Sequence, residues 1–178
     1  LLRFRKPESV FWIQDYHFLA LGEELRDLGV TQPIGFFLHT PWPARSVISS
    51  VPHHRELIEA MLAYDLIGFQ TEEDCENFLS YAQSDLGLTV HDGVVISRHG
   101  RTRAAVFPIG IDPGQFAQLA AKASTHPDVS RLRRSLNGEK LAIGVDRLDY
   151  SKGLINRIKA FDRMWSLHPS LARTVSLL

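Results

Sequence analysis

Short apolar runs alternate along this chain with stretches in which apolar residues recur at helical spacing. The run "SVFWIQ" (9–14) predicts a buried strand. The stretch after it, "FLALGEELRDLG", carries Leu21, Leu25 and Leu28 on one helical face and ends on Gly29, a C-terminal cap residue. "PIGFFLH" (33–39) predicts a second strand, and "ELIEAMLAYD" (56–65) a helix with Leu57, Met61 and Leu62 on one face. "LIGFQ" (66–70) predicts a third strand. In "TEEDCENFLSYAQSDLG" Thr71 stands three residues before Asp74, acids crowd the first turn and Gly87 closes the helix. "GVVISRHGRTRAAVFPIGI" predicts a hairpin, or a joined strand pair, turning at His99-Gly100. Residues 112–139 hold Pro113, Gly114, Pro127 and Gly138 and predict one or two short helices connecting two bodies. "KLAIGV" (140–145) starts a fresh βα unit, with Leu154, Ile158, Phe161 and Trp165 spaced for an amphipathic helix. Strands alternating with helices in this way predict an α/β fold around a parallel sheet, with helices on both faces.

Composition narrows the function classes. The hydrophobic fraction is 44% and the charged fraction 22%, as in globular proteins and unlike disordered ones. Lys plus Arg and Asp plus Glu number 20 each, so no bulk field favours nucleic acid or an anionic membrane, and any anion site must be local. The single cysteine, Cys75, precludes an internal disulfide within this chain and suits a reducing, cytoplasmic setting. No apolar run approaches the ~20 residues of a membrane span. The opening "LLRFRKPESVFW" lacks a continuous apolar segment and an initiator Met, and "TVSLL" stops in mid-run, so the chain reads as a piece of a longer protein.

In open parallel α/β sheets ligands bind beyond the carboxyl ends of the strands. Asp15, His39, Gln70 with Thr71, and Arg147 all follow predicted strands. In "DRLDYSKGL" Arg147 lies at a strand end and Lys152 at the mouth of the next helix, with Ser151 as the expected N-cap. A helix N-terminus favours an anion, and a guanidinium with an ammonium beside it would complete a diphosphate site. The competing reading pairs both cations with Asp146, Asp149 or Asp162 on the surface. Neither a P-loop nor a G-x-G-x-x-G fingerprint is present. His17, His39, His53 and His54 lack metal-ligand spacing, and no metal is expected. Cys75 sits among acids that raise a thiol pKa, which argues against a nucleophile. "TPWP" (40–43) forms a stiff loop whose Trp42 either stacks on a sugar or packs inside.

Five segments, "WIQDYHFLALGEELR", "IGFFLHTPWP", "YDLIGFQTEED", "VFPIGID" and "DRLDYSKGL", resemble in order and spacing the α,α-trehalose-6-phosphate synthases of glycosyltransferase family 20. Such enzymes are retaining GT-B glycosyltransferases with two Rossmann-like domains facing a cleft. They move glucose from UDP-glucose to glucose 6-phosphate. The resemblance implies that 1–111 is the later part of the acceptor-side N-terminal domain, 112–139 the connection, and 140–178 the truncated start of the nucleotide-sugar-binding domain. Carried over position by position, Asp15 matches the carboxylate that binds the acceptor's sugar hydroxyls, and His39 the histidine beside the transferred glucose. Thr40 matches a position tied to choice of the α anomer, and Arg147 and Lys152 the pair holding the donor's diphosphate. That pair would supply the positive charge a departing UDP requires, so the resemblance implies no cofactor and no metal. Retention in the family proceeds on one face of the sugar without a carboxylate nucleophile. Trp42 stands where Phe is usual, and "FLALGEELR" lacks a proline often found at that helix entry, both read as packing changes. The expected partners are small-molecule substrates, with neither nucleic acid nor membrane. A homo-oligomer of the full-length protein stays open. So do a different nucleotide or acceptor (as in a glucosylglycerol-phosphate synthase), a non-catalytic synthase-like regulatory subunit, and a following phosphatase domain. The chain alone is expected to be inactive.

Overall fold

The computed structural model describes residues 2–178, which divide into two compact units, the first ending at Gly110 and the second beginning at Ile111. The first unit holds β1 (Phe11–Gln14), α1 (Leu21–Asp27), β2 (Ile34–Phe37), α2 (Arg45–Ile48), α3 (His54–Met61), β3 (Leu66–Phe69), α4 (Glu72–Ser84), β4 (Thr89–His91), β5 (Val94–Ser97) and β6 (Gly100–Val106). Its six strands form one sheet in the order β1-β2-β3-β6-β5-β4. The first four run parallel, with Ile13 opposite Phe36, Phe36 opposite Ile67, and Ile67 opposite Ala104.

The remaining edge is an antiparallel meander. Ser97 pairs with Gly100, so the β5–β6 turn passes through Arg98 and His99, one residue earlier than the expected His99-Gly100. β4 was not expected at all. It joins β5 through Asp92 and Gly93, whose φ values of 47° and 74° suit the two-residue turn that matches strand twist.

Period-two alternation decides which side of the sheet is core. Phe11, Ile13, Ile34, Phe36, Ile67 and Phe69 are buried together with Leu25 of α1, Ile58 and Met61 of α3, and Phe78 and Tyr81 of α4. The alternate residues Trp12, Gln14, Gly35, Phe37 and Gly68 line an open cleft of about 620 Å³. Among the described residues the helices of this unit thus gather on one face, where helices on both faces are expected, and the other face of the sheet is the open cleft. Two details differ from the periodicity. Ile58, rather than Leu57, shares the buried face with Met61 and Leu62, and Leu28 turns outward because α1 ends at Asp27.

The second unit holds α5 (Pro113–Ala123), α6 (Pro127–Ser135), β7 (Lys140–Ala142), α7 (Leu154–Leu167) and β8 (Val175–Leu177). α5 and α6 each open on a proline after a side-chain cap, Asp112 accepting from the Gln115 N–H and His126 from the Asp128 N–H. β7 and β8 pair in parallel around the α7 crossover, a βαβ unit. Among the described residues none of this unit is fully buried, the mark of an element set too small to close a core. No helix among the described residues is long and apolar enough to cross a membrane.

Candidate functional site

The sheet order of the first unit places the carboxyl ends of β1, β2 and β3 side by side, with β6 next. Asp15, His39 and Gln70 therefore share one edge. Asp15 is bound into it by its own N–H, which donates to the Phe37 carbonyl at 2.8 Å. Its backbone sits at φ 72° and ψ 166°, a conformation that favours glycine, and its carboxylate accepts from the Tyr16 N–H at 2.9 Å. The turn that follows, residues 16–18, is anchored from inside. The Tyr64 hydroxyl donates to the Phe18 carbonyl at 2.5 Å, and burial pushes that phenol up to about 12.

His39 is exposed at the end of β2, its Nε2 2.8 Å from Gln14 Oε1 and its ring edge-on to Phe37. Gln14 was missed as a site residue. Its place two residues beyond Trp12 in "WIQD" puts it on the open face, and that parity was the available signal. Thr40 follows, also exposed. Trp42 does not stack on anything in the open. It is 4% exposed, edge-on to Phe69 and Phe78. Gln70 holds the loop after β6, its Oε1 accepting from the Ile109 N–H at 2.9 Å, and Thr71 is the N-cap of α4.

Other polar residues of this unit are engaged in structure. Asp65 pairs with Arg26 at 2.7 Å and accepts from the Ile34 N–H, and His54 bonds the Tyr81 hydroxyl. Burial first, then Glu76 and Asp74, raises the Cys75 thiol pKa. No group of three or more His, Cys, Asp or Glu among the described residues is arranged to hold a metal.

In the second unit the loop after β7 carries Arg147, and a 3₁₀ turn (Tyr150–Lys152) leads into α7. Ser151 is not the helix cap. Asp149 takes the capping role for the 3₁₀ turn, accepting from the Ser151 N–H at 2.9 Å, and Gly153 (φ 62°) turns the chain into α7 with no side chain capping that helix. The Asp149 carboxyl is held below its usual range by the Ser151 hydrogen bonds, and further by the charges of Arg147 and Lys152. Asp146 is bound by Arg157. Arg147 and Lys152 are exposed, and neither has a carboxylate within ion-pair distance among the described residues. Two unpaired cations in the loop that leads into an uncapped helix can hold a polyanionic group.

The family model for glycosyltransferase family 20 matches residues 2–178. A trehalose-6-phosphate synthase of Sinorhizobium fredii is 42% identical over 174 residues, covering 97% of this chain and 38% of that protein. Among solved structures, an α,α-trehalose 6-phosphate synthase from Burkholderia multivorans is 42% identical with a TM-score of 0.82, over 99% of this chain and 39% of the other. A UDP-forming α,α-trehalose-phosphate synthase from Burkholderia xenovorans, in complex with glucose-6-phosphate, is 38% identical with a TM-score of 0.83, again over 99% and 39%. The chain spans well under half the length of these relatives.

Proposed function

The chain belongs to glycosyltransferase family 20, and from that premise we propose that the full-length protein transfers glucose from UDP-glucose to glucose 6-phosphate with retention, giving α,α-trehalose 6-phosphate and UDP. The observation that carries this reading is the Arg147–Lys152 loop: both cations are exposed and lack a carboxylate partner among the described residues, and the loop leads into α7, whose start has no side-chain cap. As the glycosidic bond of the donor breaks, negative charge gathers on the β-phosphate. A guanidinium gripping two oxygens and an ammonium beside it stabilise that charge where it develops. Relatives described as UDP-forming, and one described in complex with glucose-6-phosphate, support the choice of donor and acceptor.

In this reading Asp15 takes the acceptor's sugar hydroxyls, His39 lies beside the transferred glucose, and Thr40 contributes to the choice of anomer. Residues 1–111 form part of the acceptor-side domain, 112–139 the connection, and 140–178 the start of the nucleotide-sugar domain. The strained backbone of Asp15 fits such a role, because strain persists where a side chain must be aimed. The test is to give the full-length protein glucose 6-phosphate with UDP-, ADP- or GDP-glucose in turn. Release of UDP that depends on glucose 6-phosphate is expected. Release of no nucleotide from any donor would contradict catalysis and favour a regulatory, synthase-like subunit.

A further inference from the structure

The loop from Leu38 to Pro43, which carries His39 and Thr40, is fastened at both ends. At its start the Leu38 N–H donates to the Gly68 carbonyl at 3.0 Å. At its far end the Trp42 N–H donates to Asp74 Oδ1 at 2.8 Å, across 32 residues of sequence. Pro41 and Pro43 have no N–H, so this amide is the one donor that the 41–43 backbone offers, and Asp74 has taken it.

Asp74 is 6% exposed and stands at the third position of α4. In a capping box contained within a helix, that side chain reaches back to the backbone N–H of the N-cap residue. Here Thr71 keeps its half, its Oγ1 accepting from the Asp74 N–H at 3.1 Å, but the carboxylate is directed elsewhere. Oδ2 accepts from the Thr71 hydroxyl at 2.7 Å, and Oδ1 leaves the helix for the loop. The macrodipole of α4 favours an anion in this turn, and burial strengthens its hydrogen bonds. Trp42 seats its indole against Phe69 and Phe78, which locks the same residue from the other side.

We propose that Asp74 is a positioning residue: by gripping the Trp42 amide it fixes the loop that presents His39 and Thr40 at the strand edge. Its catalytic consequence rests on the roles given to those two residues above, whereas the fixing of the loop stands on geometry alone.

The experiment uses the full-length protein with three variants. Asp74→Ala removes both acceptors, Asp74→Asn keeps a carbonyl oxygen for the Trp42 amide, and Val95→Ala opens a cavity in β5 away from the loop. Hydrogen exchange at the Trp42 amide should rise about tenfold or more in Asp74→Ala, as expected for loss of one charge-assisted hydrogen bond. kcat for glucosyl transfer should fall by roughly tenfold or more, with KM for UDP-glucose within about twofold of the wild type. Asp74→Asn should restore most of the protection and rate, and Val95→Ala should lower Tm without moving either. Unchanged exchange at Trp42 in Asp74→Ala would overturn the proposal, as would Val95→Ala reproducing its effects. Should the wild type transfer no glucose, the functional reading fails, and the exchange comparison still decides the role of Asp74.

Discussion

Asp15 shows how one residue links backbone energy to chemistry. Its φ of 72° places a side chain where glycine is favoured, a conformation that costs about 1–3 kcal/mol. Comparing Asp15→Ala with Asp15→Gly separates that strain from the carboxylate. Both should lose most acceptor-dependent activity, since neither can bind a sugar hydroxyl. The glycine variant should nevertheless be the more stable of the two by about 1 kcal/mol in urea titration, since it alone relieves the strain. Equal stability would mean the backbone there is not strained. Nothing in "QDYH" announces this geometry, because φ is set by the Phe37 and Phe18 hydrogen bonds of the folded edge. The candidacy of Asp15 and His39 was legible from their place after strands and from the family's motifs. For Gln14 the parity with Trp12 gave the face it shares but not its partner, because a glutamine ending an apolar run does not tell that His39 lies opposite it.

Within elements, a local signal holds wherever a side chain bonds its own turn. Thr71 caps α4 as expected, and Gly29 follows α1 in a left-handed conformation. Such a signal fails where two local bonds compete. Ser151 has the right chemistry to cap α7, yet Asp149 two residues earlier captures the Ser151 N–H and draws that serine into a 3₁₀ turn. β4 is too short, at three residues, to show a periodicity, although Asp92-Gly93 is a turn signal.

Tyr64 joins elements directly, tying the segment after α3 to the turn beyond β1, and this gives a pH dependence. Burial raises its pKa from 10.0 to about 12. Below pH 10 the phenol is protonated in both folded and unfolded chains. Between about 10 and 12 the unfolded chain ionises first, so stability falls as pH rises, by roughly 2 kcal/mol from this residue. Tyr81, also raised chiefly by burial, acts in the same direction. Urea midpoints of the full-length protein between pH 9 and 12 should therefore fall less steeply for Tyr64→Phe than for the wild type. Parallel curves would show that Tyr64 does not titrate in this way.

At the scale of the whole molecule, strand order explains how separated motifs meet. β1, β2 and β3 are neighbours, so Asp15, His39 and Gln70 come to one edge although they are far apart in sequence. The parallel half of the sheet was legible from alternating strands and helices. The β5–β6 hairpin was legible too, to within one residue at its turn, but β4 and the open face beside Trp12 were not, because periodicity tells which residues share a face without telling what covers it. This chain spans 38% of the Sinorhizobium relative, and we predict that the 178-residue polypeptide alone turns over no donor. Nucleotide release assays on it, with the full-length protein as reference, check this, and turnover by the shorter chain would refute it.

Arg147 and Lys152 are proposed to stabilise the diphosphate as it leaves. The most direct test is kcat for Arg147→Ala in the full-length protein, saturated with UDP-glucose and glucose 6-phosphate. A loss of roughly 10²-fold or more is expected, the scale of one removed transition-state charge partner. A kcat equal to that of the wild type would contradict it.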